Sequence, residues 1–517
     1  MEARNFVTAR EIVKNNTWLV PTLNGEPRIA KPPLPTWITA AVYLLGGQED
    51  NEGILRIPAA LMGLGLVAAL YGLVQCINKN GHLALVSATL AATSLLIMDM
   101  GRCGSWDIYS HSFMLSAIWS LTWGWQKDSI TYFPFLIAGI LMACSFMSKG
   151  PVAFFTLLLP FVIAYGVTFG TTPMIQQTKP MIYAAILTII LGGLWPALIY
   201  LKMPELSSTI ATTETSSWLS RHQRHLFFYA QFPIYTGIWT IMVITAIFFP
   251  FARRRINQVE NYRFIILWGI ISILLLSIIP EKKDRYLLPA MVPFTILAGH
   301  LCYSLMLSAT KNTLRVADLR LLYTHCIVTI AAALTGSTIL FFFVTENTLL
   351  SKLVTTIYGI AFIAIAVFCV YAIRRKDILK IFVLSIPLIS LINLILLPSI
   401  YQLLKISYAP AMKPLKEIRQ IKDIEDLPFF FLPFVDPKEL NAKRIWEAGK
   451  TITIWDYQKT PLPTNNQPFV LLSQKAPLQM LPQKTGGIFS VISLGKFHYD
   501  PKDTAKVLHL SLMSIRK

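Results

Sequence analysis

Residues 181–201 read MIYAAILTIILGGLWPALIYL, 21 positions without one charged side chain. About 20 apolar residues in a helix cross a bilayer core. Inside lipid every backbone N–H and C=O must bond within its own segment, so a run like this is read as a spanning helix. Similar runs lie on both sides of it: Ile54–Ile77, Leu83–Met98, Ile108–Trp125, Tyr132–Met147, Val152–Phe169, Ile238–Phe251, Phe264–Ile279, Tyr286–Leu307, Leu321–Val344, Leu353–Ile373 and Ile381–Ile400. The sequence therefore predicts a mainly α fold, a polytopic transmembrane helical bundle of about twelve spans. A longer polar stretch, Lys202 to Pro233, separates the sixth run from the seventh.

Composition agrees. Charged residues make up 14% of the 517, against about 25% in a soluble chain. The net charge is +19. No basic stretch interleaved with aromatics lies in a soluble segment, so nucleic acid is discounted as a partner, and short cytoplasmic loops of a membrane protein are where such a surplus collects. The six cysteines, Cys76, Cys103, Cys144, Cys302, Cys326 and Cys369, are scattered and form no CxxC pair, which speaks for free thiols over a disulfide framework or metal knuckle.

The ends of the chain differ from its middle. Glu2 to Asn16 reads as a short amphipathic helix, Asn24-Gly25-Glu26-Pro27 as a turn, and Leu34 to Leu45 as an interfacial helix too short to span. After Tyr401 the apolar runs shorten to Phe429–Leu432, Ile452–Trp455, Phe469–Leu472 and Val507–Leu512, with a charged helix-like segment from Pro437 to Glu447. The expected domains are thus a transmembrane domain over 1–400, with 1–53 as its first external loop, and a small soluble α/β domain over 401–517.

Loop charge sets the expected orientation. Arg253-Arg254-Arg255, Lys311, Arg315 and Arg320, and Arg374-Arg375-Lys376 fall in alternate loops, which are cytoplasmic by the positive-inside rule. The opposite set, including 1–53, 100–107, 148–150, 202–233, 281–285 and the C-terminal domain, is then external. An N-terminal segment bearing Arg4, Arg10, Lys14, Arg28 and Lys31 resists unaided translocation. A further span upstream of Met1 is the expected resolution; a stop codon immediately before Met1 in the reading frame would sink it.

The external segments share an ordered set of motifs: Glu2-Ala3-Arg4-Asn5, Thr17-Trp18-Leu19-Val20-Pro21, Asn24-Gly25-Glu26-Pro27, Ala30-Lys31-Pro32-Pro33, Arg56-Ile57-Pro58, Ser148-Lys149-Gly150-Pro151 and Lys283-Asp284-Arg285-Tyr286-Leu287-Leu288-Pro289. Over roughly the first 300 residues this set resembles the bacterial members of the protein O-mannosyltransferase-like (GT-C) superfamily, and within it the aminoarabinose transferases of lipid A modification. The family's first acidic residue would fall at Met1, and its Glu before Lys-Pro-Pro is Ala30 here.

The resemblance implies a glycosyltransferase of the bacterial inner membrane. It would work on the periplasmic side by a single inverting displacement from an undecaprenyl-phosphate sugar, with a lipid A-type glycolipid or a protein as acceptor. Such chemistry needs a base, cations for the departing phosphate and a dry pocket. Glu2 is the candidate base in place of the absent acid, against a plain reading as a helix N-terminal carboxylate. Asp107 matches the family's second essential Asp, against a helix-start acid; it is expected to orient the acceptor or Arg4. Lys31 is the phosphate ligand, against a snorkelling interfacial lysine. Arg4, Arg102, Lys149, Lys282, Lys283, Arg285 and Tyr286 complete the expected substrate-binding group, though singly each charge fits a membrane edge equally well. In Arg221-His222-Gln223-Arg224-His225 the two histidines lack a third ligand, so a metal site there is disfavoured. The resemblance points to no particular cofactor, and a divalent cation stays open. The rivals are a polyprenyl-linked glycan ligase or polymerase, a transporter with broken helices in paired halves, and a lipid-binding homologue without activity.

Overall fold

The computed structural model describes residues 2–46, 51–220, 222–253, 255, 259–343, 349–375, 377–396, 413–433, 440–456, 467–481, 489–498 and 507–515. Met1, Arg221, Arg254 and Lys376 lie outside the described residues, as does the start of the expected helix at Pro437. Contacts group the chain into two units, 29–38 with 53–397 and 1–28 with 39–52 and 398–517. Against the expected boundary at 400, the segments 1–28 and 39–52 are thus grouped with the C-terminal segment.

The first unit is helical. Among the described residues eight helices are long and apolar enough to cross a membrane, or nine if one bent pair is a single span. In its described residues each of the twelve apolar runs falls on a helix or on adjoining helical pieces. The count is lower because several pieces are short or broken. The run Leu83–Met98 divides into Gly81–Ala92 and Leu95–Arg102, bent by 64°. At the break Thr93 Oγ1 donates to Thr89 O at 2.6 Å and Ser94 Oγ to Leu90 O at 2.7 Å. Hydroxyls bonded back to the preceding turn favour a bend, and Trp239 Nε1 donates to Thr93 Oγ1 from outside at 2.8 Å. The run Val152–Phe169 opens as a π-helical turn, Phe154–Leu158, before the α-helix Leu159–Phe169. Pro160 has no N–H to close the regular ladder there. The stretch expected as a polar loop after Lys202 holds the helix Pro204–Ser220 and the 3-10 segment Leu226–Trp239.

Burial separates the inner helices from the lipid-facing ones. Leu288–Thr310 is buried along most of its length, and Gly299 lets it approach Ser87 so closely that a Cβ would lie 2.8 Å from the Ser87 Cα. Thr178–Lys202 instead leaves Ile189 71% and Leu194 57% exposed, faces that only an apolar solvent would cover stably.

Among the described residues the second unit holds six strands of one sheet, β3 Lys413–Pro414, β4 Phe429–Leu432, β5 Ile452–Ile454, β6 Phe469–Ser473, β7 Phe489–His498 and β8 Val507–Ile515. Their order across the sheet is β3-β7-β8-β6-β4-β5. The expected strands are β4, β5, β6 and β8; β7 and the short β3 were not expected. Pairing is mixed, parallel at β4–β5 and β4–β6, antiparallel at β6–β8 and β7–β8. The helix Ala442–Ala448 starts where the Asn441 side chain caps the amides of Lys443 and Arg444, and stops at Gly449 in the left-handed region, as residue chemistry favours.

The N-terminal segments complete this unit. Helix Glu2–Asn15 ends at Asn16, φ +54, and the hairpin of β1 Thr22–Leu23 and β2 Glu26–Pro27 follows. Trp446 is the meeting point: its ring lies 5.3 Å from that of Phe6, and the guanidiniums of Arg10 and Arg419 stand 5.7 and 5.2 Å from it. Its Nε1 donates to Glu52 Oε1 at 2.9 Å, which also accepts from Lys416.

Candidate functional site

Helix Trp106–Trp125 and helix Phe133–Lys149 form an antiparallel hairpin in sequence and in space. Such a hairpin sets the start of the first helix beside the end of the second. Asp107 occupies that start and Lys149 that end. Each charge has the sign that its helix terminus favours. Lys149 Nζ donates to Asp107 Oδ1, and the two side chains are 6% and 0% exposed. Arg285, in the turn that leads into Leu288–Thr310, brings its Nε to 3.7 Å from the other Asp107 oxygen. Asp107 lies just ahead of the apolar run Ile108–Trp125. Burial alone would raise its carboxyl, but the Lys149 and Arg285 charges outweigh burial and hold it below the usual carboxylate range.

The Tyr286 ring gathers the cations. Lys149 Nζ is 4.7 Å from its centroid, Arg285 Cζ 5.5 Å and Lys283 Nζ 5.6 Å. Ring quadrupole attraction supports such clustering. Lys283 also pairs with Glu281, and its backbone meets the Tyr229 hydroxyl through N–H donation at 3.2 Å. Lys31 pairs with Glu214 at 2.7 Å, and its charge still bears on Lys149. Thr36, one turn into the helix after Lys31-Pro32-Pro33, accepts from Trp106 Nε1 at 3.3 Å. That bond ties the Lys31 segment to Trp106, the buried residue beside Asp107.

The structure therefore brings together Asp107, Lys149, Arg285, Tyr286 and Lys283, with Lys31 within electrostatic reach. Two expected members have other partners. Lys282 Nζ donates to the carbonyls of Ile279 at 2.8 Å and Arg224 at 3.4 Å, closing the end of helix Val259–Ile278; burial pulls its ammonium below the usual lysine range. Arg102 donates to the backbone and side-chain oxygens of Asn393. Glu2 and Arg4 belong to the other unit, Glu2 half-buried and Arg4 exposed on helix Glu2–Asn15. Among the described residues no three His, Cys, Asp or Glu side chains converge to hold a metal ion.

Sequence reasoning missed several partners. Glu214 carries no motif and becomes visible only when Lys31 arrives from a distant segment, whereas Glu281 stands two residues from its partner Lys283. Glu11, in the stretch Ala9-Arg10-Glu11, lies outside the motif set named above. It is buried and accepts from the Thr22 hydroxyl at 2.6 Å, the Asn24 amide at 2.7 Å and the Gly25 amide at 3.1 Å. His111, one turn after Asp107, is buried.

The cluster is a buried carboxylate that holds two cations beside an aromatic ring, with further lysines near. It can stabilise an anion that arrives with few hydrogen bonds of its own, as a phosphate leaving group would. Asp107 has its own charge matched by Lys149 and Arg285, so it positions cations better than it accepts a proton.

A sequence model of the dolichyl-phosphate-mannose-protein mannosyltransferase family matches residues 30–200. An uncharacterised protein of Aquifex aeolicus is 25% identical over 308 residues, 59% of either chain. The undecaprenyl phosphate-alpha-4-amino-4-deoxy-L-arabinose arabinosyl transferase of Photorhabdus laumondii is 23% identical over 303 residues, 57% of this chain and 54% of its own. The aligned region thus spans about half the length of the curated relatives. ArnT from Cupriavidus metallidurans in the apo state superposes with a TM-score of 0.71 at 14% identity, over 99% of this chain and 93% of that one. Its complex with undecaprenyl phosphate superposes equally well. At that identity the likeness shows a shared fold.

Proposed function

We propose that this chain, a member of the protein O-mannosyltransferase-like (GT-C) superfamily, transfers a sugar from a polyprenyl-phosphate donor to a glycolipid or protein acceptor at the periplasmic face of the bacterial inner membrane. The observation that carries this reading is the Asp107–Lys149–Arg285 cluster under Tyr286. In an inverting displacement the acceptor oxygen bonds to the anomeric carbon as the carbon–oxygen bond to phosphate breaks. The electron pair leaves on the phosphate, and the acceptor proton goes to a base. Lys149, Arg285, Lys283 and Lys31 are the proposed phosphate ligands, with Asp107 fixing the first two. Glu2 is the proposed base on its place in the motif. Arg4, Arg102 and Lys282 are retained as proposed binding residues of lower rank, the last two because their nitrogens already serve carbonyls.

The test is transfer of radiolabelled sugar from undecaprenyl-phosphate donors in proteoliposomes. Arg285→Ala is expected to lower turnover about 100-fold or more, the scale for removing one donor aimed at developing charge. Glu2→Gln should cost about 100- to 10,000-fold if it is the base. Binding of the lipid phosphate without transfer by the wild-type chain would replace the enzyme reading with lipid binding. Glu2→Gln at wild-type turnover would remove Glu2 from the mechanism.

A further inference from the structure

The hairpin 22–27 lies between two motifs of the first loop, and its side chains bind outward as well as inward. Asn24 donates from Nδ2 to Ile452 O at 2.7 Å, and Ile452 N donates to Asn24 Oδ1 at 2.8 Å. One side-chain amide thus satisfies both backbone groups of one residue, as a neighbouring strand would. Ile452 lies in β5, the outer strand of the sheet, where unpaired N–H and C=O groups are otherwise offered to any passing chain. On the inner side Glu11 bonds Thr22, Asn24 and Gly25, so the hairpin is fixed to the helix that carries Glu2 and Arg4. Asn24 itself has φ +59, a conformation asparagine tolerates better than most residues.

We propose that Asn24 is a positioning residue: by completing the edge strand β5 it fixes the loop that carries Glu2 and Arg4 on the C-terminal sheet. The C-terminal segment is then a template for the first loop, and its contribution to transfer is made through the loop's position. The part that concerns turnover rests on the proposed function.

The test uses the full chain in proteoliposomes, with donor turnover, donor KM and hydrogen exchange at the Ile452 amide as readouts. Asn24→Gly keeps the left-handed backbone free of strain and removes both bonds to Ile452. Asn24→Asp keeps an acceptor for the Ile452 N–H and loses the donor to its carbonyl. Asn24→Gly should expose the Ile452 amide to exchange and lower kcat about 10-fold or more with donor KM within about twofold, because misplacing a catalytic group by an ångström costs rate more than binding. Asn24→Asp should keep the amide protected and fall between the two in kcat. An Ile452 amide still protected in Asn24→Gly would overturn the proposal, and so would unchanged kcat with protection lost. A wild-type chain without transfer would overturn the proposed function instead, and exchange alone would then decide whether Asn24 holds β5.

Discussion

At the scale of residues, the informative feature is a carboxylate that the folded chain covers completely. Asp107 is fully buried and matched by Lys149 and Arg285. Removing one partner of a buried pair costs about 3–5 kcal/mol, because the other charge stays buried. Asp107→Asn is therefore expected to lower the thermal midpoint in detergent, and Lys149→Met to do the same; a double variant should recover part of the loss. Equal midpoints for all three would mean that water reaches the pair. The pH dependence has a definite sign. The folded carboxyl lies below its ordinary value of 3.8, so its contribution is complete above that pH and is lost as pH falls through the lower folded value. A midpoint measured from pH 7 downward should hold to about pH 4 and then fall more steeply in the wild type than in Asp107→Asn.

At the scale of elements, helices meet where side chains are small. A Cβ on Gly299 would stand 2.2 Å from Ser87 Oγ and 2.8 Å from the Ser87 Cα, and backbone cannot step aside as a long side chain does. Gly299→Ala should destabilise by about 1–3 kcal/mol, the scale of overpacking, read as a lower thermal midpoint. Ser87→Gly in the same chain should restore part of it by removing the nearer atoms. Failure of the second change to help would place the strain elsewhere. The bend at Thr93 and Ser94 is a related case. Apolar periodicity runs straight through Leu83–Met98, and the hydroxyls that turn the helix look like ordinary small residues until Trp239 is seen bonded to one of them.

At the scale of the whole molecule, orientation is the property that loop charge predicts. With the half-buried native thiols Cys76, Cys103 and Cys144 removed, Asn312→Cys on intact cells should resist an impermeant maleimide, and Gln467→Cys should react once the outer membrane is opened. The reverse pattern would invert the expected topology and move the proposed chemistry to the cytoplasm.

The sequence by itself determined that the chain is a membrane protein with a small α/β portion, because a run such as 181–201 has one stable solvent and apolar runs as short as Phe469–Leu472 have the length of buried strands. It also named Asp107, Lys149 and Arg285, since motif order survives when contacts are unknown. Only the tertiary structure decided which charges meet. It gave Lys282 to backbone carbonyls, Lys31 to Glu214, and the first-loop hairpin to β5 through Asn24. These are pairings between segments up to 428 residues apart. A sequence carries no local signal for such a pairing, because each partner alone satisfies the same rules as a solvated polar residue, and only packing removes the water that would have taken its place.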